Sequence, residues 1–291
     1  MTEPAGFAEL RRKRLGLIES LRENDAEDSL RILLSELYPD NAHFIYELLQ
    51  NAEDALATTI EFTLRTDSLV VNHDGKRPFA LTDIESITNI GKSTKKDDPT
   101  QIGKFGVGFK AVFAYTTRPE VRSGEHSFAI EDLLVPVEIE GEPRPGATTF
   151  TFPFDRPEKP ADVAGEEVAR GLSALDEKTL LFLNHIATIT YELPDGTVGI
   201  IAREALDDRT IRVQKSEGDH FLASHWLRLI GPATVTKVGA TALTVAAAFR
   251  LEPESMPSPR RPKEAHRGRT EHATRYSIVP VLDGDVSIYF P

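Results

Sequence analysis

Apolar residues recur at helical spacing through much of the first third of the chain. Between residues 7 and 37 they fall three or four positions apart in two runs, and Pro39 then interrupts the pattern. The same spacing returns over residues 42–57, over 81–90 and, more briefly, from 108 to 115. The pattern therefore predicts two N-terminal helical pieces, a helix over residues 42–57 and two short helices further along.

Alternating apolar and polar residues, rich in β-branched types, predict strands elsewhere. Residues 59–75 have the pattern of two short strands around a turn, and residues 118–154 contain several more. A helical stretch follows over residues 161–186, and β-like runs then continue to Leu251. We place a domain boundary near this helical stretch, with one domain in residues 1–157 and a second in 158–291. The second domain ends just after a strand, so we expect it to be cut short at its C-terminus.

Composition narrows the class of protein. The chain has 291 residues, no cysteine and a formal net charge of −12. It contains no apolar run of about 18 residues and no apolar signal segment near its start, so we expect a cytoplasmic protein with no membrane partner. The acidic balance argues against a protein that coats nucleic acid. A basic, proline-rich segment over residues 258–275 leaves local nucleic-acid contact open.

A compact polar stripe marks the helix over residues 42–57. At about 100° per residue, Glu47, Asn51 and Asp54 fall within about 60° of one another on the helical wheel, opposite an apolar face. Such a stripe is usually a solvated helix surface. Carboxylate and amide oxygens are, however, also the groups that bind Mg²⁺ and orient water.

Two further motifs follow along the chain. Asp74 and Gly75 come directly after a strand-like run, where Asp-Gly typically forms a turn. Gly103, Gly106 and Gly108 then precede an apolar run, and glycines at a helix N-terminus allow backbone N–H groups to approach phosphate oxygens. A hinge without a ligand is the alternative for the glycines. Their spacing fits neither a Walker loop nor a Rossmann fingerprint.

Taken in order, "ELLQNAEDA", "HDGK" and "IGKFGVGFKAVF" resemble the three nucleotide motifs of the GHKL ATPase superfamily. The glycine stretch is closest to the heat-shock protein 90 branch, and "NIGKSTKKDD" resembles the sacsin-type N-terminal ATPase domains. The resemblance implies an α+β protein with the Bergerat fold, an α/β sandwich in which a mixed sheet is layered with helices. It also implies that a smaller α/β transducer-like domain follows.

The resemblance also implies roles for individual residues. Glu47 matches the general base that activates water, and Asn51 matches the Mg²⁺ ligand beside the nucleotide. The other nucleotide-binding residues that it implies are Asp54 in the pocket, Asp74 and Gly75 at adenine, Lys92, Ser93 and Lys95 in a lid, Gly103, Lys104, Phe105, Gly106, Val107, Gly108 and Phe109 in the phosphate turn, and Thr148, or else Thr149, on a late strand. A basic residue of the second domain would complete the site, with Lys215, Lys237 and Arg250 as candidates.

The function that this resemblance implies is Mg²⁺-dependent ATP binding and slow ATP hydrolysis. In that case the nucleotide state drives a conformational change or dimerisation in a larger, chaperone-like protein, with a protein client or a partner subunit. Two alternatives stay open. The chain is either an ATP-gated subunit of a bacterial defence or DNA-processing system, or a nucleotide-binding scaffold with negligible turnover.

Overall fold

The computed structural model describes residues 5–26, 43–89, 108–234, 242–253, 276–278 and 286–289. The helices are α1 (Ala5–Glu23), α2 (Phe44–Asp54), α3 (Leu81–Ile87) and α4 (Ala161–Ser173), with 3₁₀ helices at Gly108–Ala114 and Glu177–Leu180. The strands are β1 (Thr59–Leu64), β2 (Ser68–His73), β3 (Glu120–Gly124), β4 (His126–Glu131), β5 (Val135–Glu138), β6 (Arg144–Pro153), β7 (Thr188–Glu192), β8 (Val198–Ala205), β9 (Thr210–Glu217), β10 (His220–Thr234), β11 (Ala242–Pro253), β12 (Tyr276–Ile278) and β13 (Val286–Tyr289).

The chain forms two compact units. Unit 1 comprises Met1–Ala202 and Lys215–Phe221, and unit 2 comprises Arg203–Gln214 and Leu222–Pro291. The polypeptide thus passes between the units within β8 and β9, and again just after β10 begins. The helical stretch and the strand β7, which we had assigned to the second domain, lie within unit 1.

Unit 1 is built on a mixed sheet with the strand order β8–β7–β1–β2–β6–β3–β4–β5. The strands β1 and β7 are parallel, whereas β1 and β2, β2 and β6, and β7 and β8 are antiparallel. In this register His73, at the end of β2, faces Ile60 on β1 and Thr148 on β6. The sheet therefore places the end of β2 beside the threonine that the sequence had singled out.

The core of unit 1 follows from the apolar periodicity. On β1 the residues Ile60, Phe62 and Leu64 are buried in alternation with accessible neighbours. The apolar face of α2 is buried too, and its Phe44 ring lies 6.1 Å from that of Phe152 on β6. Aromatic packing of this kind, on one face of the sheet, holds α2 across the strands that carry the motif residues.

The described residues of unit 2 form strands, apart from a bend at residues 206–209, and include no helix. The long strands β10 and β11 pair in antiparallel fashion, and both β12 and β13 pair with β11. Trp226 on β10 is fully buried, and its indole Nε1 donates a hydrogen bond to Ser224 Oγ at 2.8 Å.

The expected fold class is wrong. We anticipated a helix-layered Bergerat sandwich followed by a smaller α/β domain, but the protein is dominated by mixed sheet with few helices, and the described residues of unit 2 contain no helix. The physical reason is visible in the sequence, since residues 188–251 carry period-two alternation and no helical spacing. The second α/β layer had come from the family resemblance and not from these residues.

Candidate functional site

The polar stripe on α2 lies at a partly covered surface. Glu47, Asn51 and Asp54 are all half-buried, and the Glu47 side chain is 23% exposed. Glu47 Oε1 lies 3.9 Å from His43 Nε2, one helical turn earlier. A fully solvated helix face would leave such side chains exposed, so these three polar groups are partly covered by neighbouring residues. The stripe combines two carboxylates with one amide, the donor set that suits a hard cation and a bound water.

Asp74 is exposed, and its carboxylate is held by the start of β1. Oδ1 accepts hydrogen bonds from the Thr58 and Thr59 N–H groups at 2.7 and 2.8 Å, and Oδ2 accepts one from Thr58 Oγ1 at 2.5 Å. Burial acts to raise the pKa of Asp74, but these hydrogen bonds outweigh it and leave the pKa below its ordinary value. Asp74 is thus a fixed carboxylate at the end of β2.

Gly75 brings this aspartate to the end of α2. A Cβ at Gly75 would lie 2.8 Å from Cβ of Ala55, the residue that follows α2, and 2.7 Å from His73 Nδ1. The Gly75 N–H donates to that same Nδ1 at 3.1 Å, so in this arrangement the ring proton of the imidazole is on Nε2. Burial lowers the pKa of His73 to about 4, an effect that the charge of Asp74 partly offsets, so the ring is neutral at physiological pH. Glycine is required here because the approach leaves no room for a side chain.

Thr148 lies on β6, the strand next to β2, directly opposite His73. It is fully buried, and its Oγ1 lies 2.6 Å from Ser123 Oγ, which also accepts the Phe79 N–H at 3.0 Å. The alternative residue, Thr149, donates instead to Asn72 Oδ1 at 2.7 Å. Thr148 therefore neighbours His73 through the strand register, whereas Thr149 is engaged with the preceding residue of β2.

The glycine stretch is described only at its end. Gly108 begins a 3₁₀ helix, where we had predicted an ordinary helix, and this 3₁₀ helix packs against α2. Phe109 is buried with its ring 6.1 and 6.2 Å from those of Phe150 and Phe152, so it belongs to the core. The other residues of the predicted lid and phosphate turn lie outside the described residues: Lys92, Ser93, Lys95, Gly103, Lys104, Phe105, Gly106 and Val107.

Lys110 is directed into the core. Its Nζ donates to the carbonyl oxygens of Ile87, at the end of α3, and of Leu133, each at 2.7 Å. The side chain is buried. This burial, together with a smaller effect of the nearby Arg14 charge, lowers the pKa of Lys110 to about 7. In the sequence, Lys110 follows Gly108 closely enough to add positive charge beside a phosphate, but in the structure its ammonium joins α3 to the turn around Leu133.

A buried acid that the sequence did not reveal lies on α2 itself. Glu53 is 3% exposed, and its carboxylate accepts the N–H groups of three consecutive residues, Asn184, His185 and Ile186, at 2.5 to 3.1 Å. On the wheel Glu53 falls at about 240° from Glu47, at the border of the apolar arc. The position of an acidic residue at this border was the only feature of the α2 sequence that could have indicated its burial. Its partners lie some 130 residues further along, and nothing in their sequence indicates the contact.

The second-domain basic residues have mixed outcomes. Lys215 Nζ donates to the carbonyl oxygens of Ser173 and Leu175 at 2.7 Å each, so it caps the C-terminal end of α4. Lys237 lies outside the described residues, and Arg250 is half-buried on β11. In the parts of the chain that are described, no cluster of three or more His, Cys, Asp or Glu side chains is arranged to hold a metal. No helix within those same ranges combines the length and the hydropathy needed to cross a bilayer.

Comparison with known proteins supports part of this interpretation. Residues 66–138 match the family model described as the Sacsin domain. Protein NO VEIN of Arabidopsis thaliana is 28% identical over 231 residues, which cover 69% of this chain and 8% of that protein. Human sacsin is 32% identical over 132 residues, which cover 39% of this chain and 3% of that protein.

A solved structure, the N-terminal domain of a DNA repair protein, aligns with a TM-score of 0.46 and 12% identity over 77% of this chain and 71% of that one. The matched regions span less than a tenth of the length of protein NO VEIN and of human sacsin. The matched segment includes Asp74 and runs through the glycine stretch to β5. Over these residues the protein has a sacsin-type relationship.

Proposed function

We propose that this chain is a Mg²⁺-dependent ATP-binding and ATP-hydrolysing module of the GHKL type. The observation that carries the proposal is the junction at the end of α2. There the close approach of Gly75 to Ala55 brings Asp74 next to the helix that bears the acid–amide–acid stripe. The sacsin-type relationship supports the same conclusion, because the matched segment contains Asp74.

In this proposal each residue has a distinct task. Asp74 accepts a hydrogen bond from the base of the nucleotide, and Thr148 lines the buried end of that pocket. Glu47 orients a water molecule and takes its proton, the task of a general base. Asn51 offers an amide oxygen to Mg²⁺, which usually takes one or two protein ligands and completes its shell with phosphate oxygens and water. When bound, the cation would neutralise charge on the phosphates.

The donor set fits such a cation. Mg²⁺ held by one amide and by phosphates needs no cluster of protein carboxylates, and the described residues contain none. We further propose that the nucleotide state drives a conformational change or dimerisation in a larger protein that contains such a module.

The test is Glu47→Ala. If Glu47 is the general base, the variant keeps its ATP affinity in calorimetry while phosphate release falls by about 10²- to 10⁴-fold. Glu61→Ala, which removes an exposed carboxylate on β1, serves as the control and leaves both quantities unchanged. Phosphate release that is unaltered in Glu47→Ala contradicts the assignment, and an absence of ATP binding to the unmodified chain contradicts the function.

A further inference from the structure

We propose that Thr58 is a positioning residue that sets the orientation of Asp74 and thereby selects a purine with a 6-amino group. This inference rests on the proposed function and deepens it. Thr58 lies just before β1 and belongs to none of the three sequence motifs. It touches Asp74 twice, through its backbone N–H at 2.7 Å and through its hydroxyl at 2.5 Å.

The backbone of Thr58 is itself fixed. Its N–H is engaged with Asp74 Oδ1, and its carbonyl oxygen accepts hydrogen bonds from the N–H groups of Ala187, at 2.9 Å, and Thr188, at 3.3 Å. Thr58 therefore joins the end of β2 to the start of β7. Because both the N–H and the carbonyl oxygen of Thr58 are hydrogen-bonded, its backbone is fixed, and this fixes the position from which its hydroxyl donates to Asp74.

The acceptor capacity of Asp74 explains why the hydroxyl matters. A carboxylate offers about four acceptor positions, two on each oxygen. Two N–H groups fill those of Oδ1, and the Thr58 hydroxyl takes one of those on Oδ2. The Thr59 side chain adds a further, smaller hydrogen-bond contribution to the carboxylate, and the Thr58 hydroxyl fixes the direction of the acceptor position on Oδ2 that a ligand would use. An exocyclic amino group can donate to that position, whereas a 6-oxo group presents its own lone pairs and is repelled.

The experiment separates this role from a structural one. Thr58→Val keeps the shape and the backbone N–H but removes the hydroxyl, and Thr58→Ser keeps the hydroxyl. Calorimetric affinity is measured for ATP and for purine riboside triphosphate, which lacks the 6-amino group. A hydrogen bond to a charged acceptor is strong enough that we expect Thr58→Val to weaken ATP binding about tenfold. We expect the affinity for purine riboside triphosphate to be unchanged, and Thr58→Ser to restore ATP binding.

The ratio of the two affinities within one variant is the decisive quantity, because it does not depend on the fraction of protein that is folded. If Thr58→Val folds poorly, Thr58→Ala gives the same ratio. A ratio equal to that of the unmodified chain overturns the inference, whether both affinities fall together or neither falls. If the unmodified chain binds neither nucleotide, the proposed function fails first, and that outcome is distinguishable before any variant is made.

Discussion

The buried carboxylate of Glu53 provides the sharpest test of how unit 1 is held together. It lies on α2 and is the acceptor for three consecutive backbone N–H groups, those of Asn184, His185 and Ile186. Glu53→Ala removes all of these hydrogen bonds at once. Because the donors belong to the main chain, they cannot turn to another acceptor by a change of rotamer.

The expected loss can be worked out from the exposure of the donors. Ile186 is fully buried, so its N–H is left without an acceptor at a cost of about 1–3 kcal/mol. Asn184 and His185 are exposed residues, so water can reach their N–H groups and each loss is about 0.5–1.5 kcal/mol. The sum is about 4 kcal/mol, a large share of the 5–15 kcal/mol that stabilises an ordinary domain.

Urea unfolding followed by far-ultraviolet circular dichroism measures this change. Glu61→Ala is the matched control, since Glu61 is an exposed acid on β1 in the same unit. Glu53→Gln retains one oxygen acceptor but turns an amide donor towards N–H groups, so we expect an intermediate loss. If Glu53→Ala costs less than about 1 kcal/mol, no more than the control, then the carboxylate does not anchor α2 and the reasoning fails.

Three other changes test packing and buried charge. A Cβ at Gly199 would lie 2.0 Å from Cζ of Tyr191, so Gly199→Ala should lower the unfolding free energy by about 1–3 kcal/mol in thermal denaturation. Gly165→Ala, in open space on α4, should instead raise it by about 0.5–1 kcal/mol, and the opposite signs check the contact. The pKa of Lys110 is lowered by burial from 10.5 to about 7, so between those values the unfolded chain holds a proton that the folded chain releases. The free energy of unfolding should therefore rise with pH above 7 by up to about 1.4 kcal/mol per pH unit. Urea titrations at several pH values measure this rise. It should be absent in Lys110→Met and present in the control Lys13→Met.

The sequence was sufficient for the local elements whose signal is periodic. The helix predicted over residues 42–57 is α2, at Phe44–Asp54, and the two strands predicted over 59–75 are β1 and β2. In each case one face is apolar at the spacing of the element, and that face is the buried one. The helical stretch predicted over residues 161–186 ends earlier, at Ser173, where Lys215 caps it from a distant strand.

What the sequence could not supply was the set of long-range partners. Glu53 resembles any helix-surface acid until the backbone of residues 184–186 is placed beside it. Lys110 likewise resembles a candidate phosphate ligand until the carbonyl oxygens of Ile87 and Leu133 receive its protons. Both contacts depend on tertiary structure, and a backbone partner leaves no complementary charge to be recognised in the sequence. The helix predicted in the second domain does form, as α4, but it belongs to unit 1. The described residues of unit 2 contain no helix, because the expectation of an α/β domain there followed the family resemblance and not the period-two pattern.

The exposure of the acidic side chains around α2 distinguishes the acid that stabilises the fold from those that can bind a ligand. Glu53 is buried, and its carboxylate already accepts hydrogen bonds from three N–H groups, so it has few acceptor positions left for a ligand. The Glu47 side chain on the same helix remains 23% exposed, and Asp74 is an exposed residue although Thr58 and Thr59 hold its carboxylate. A carboxylate that must bind a nucleotide or activate water has to retain such capacity while being held in place. Of these three acids, Glu53 therefore acts on the fold, and Glu47 and Asp74 are the ones whose substitution should change ligand binding or turnover more than stability.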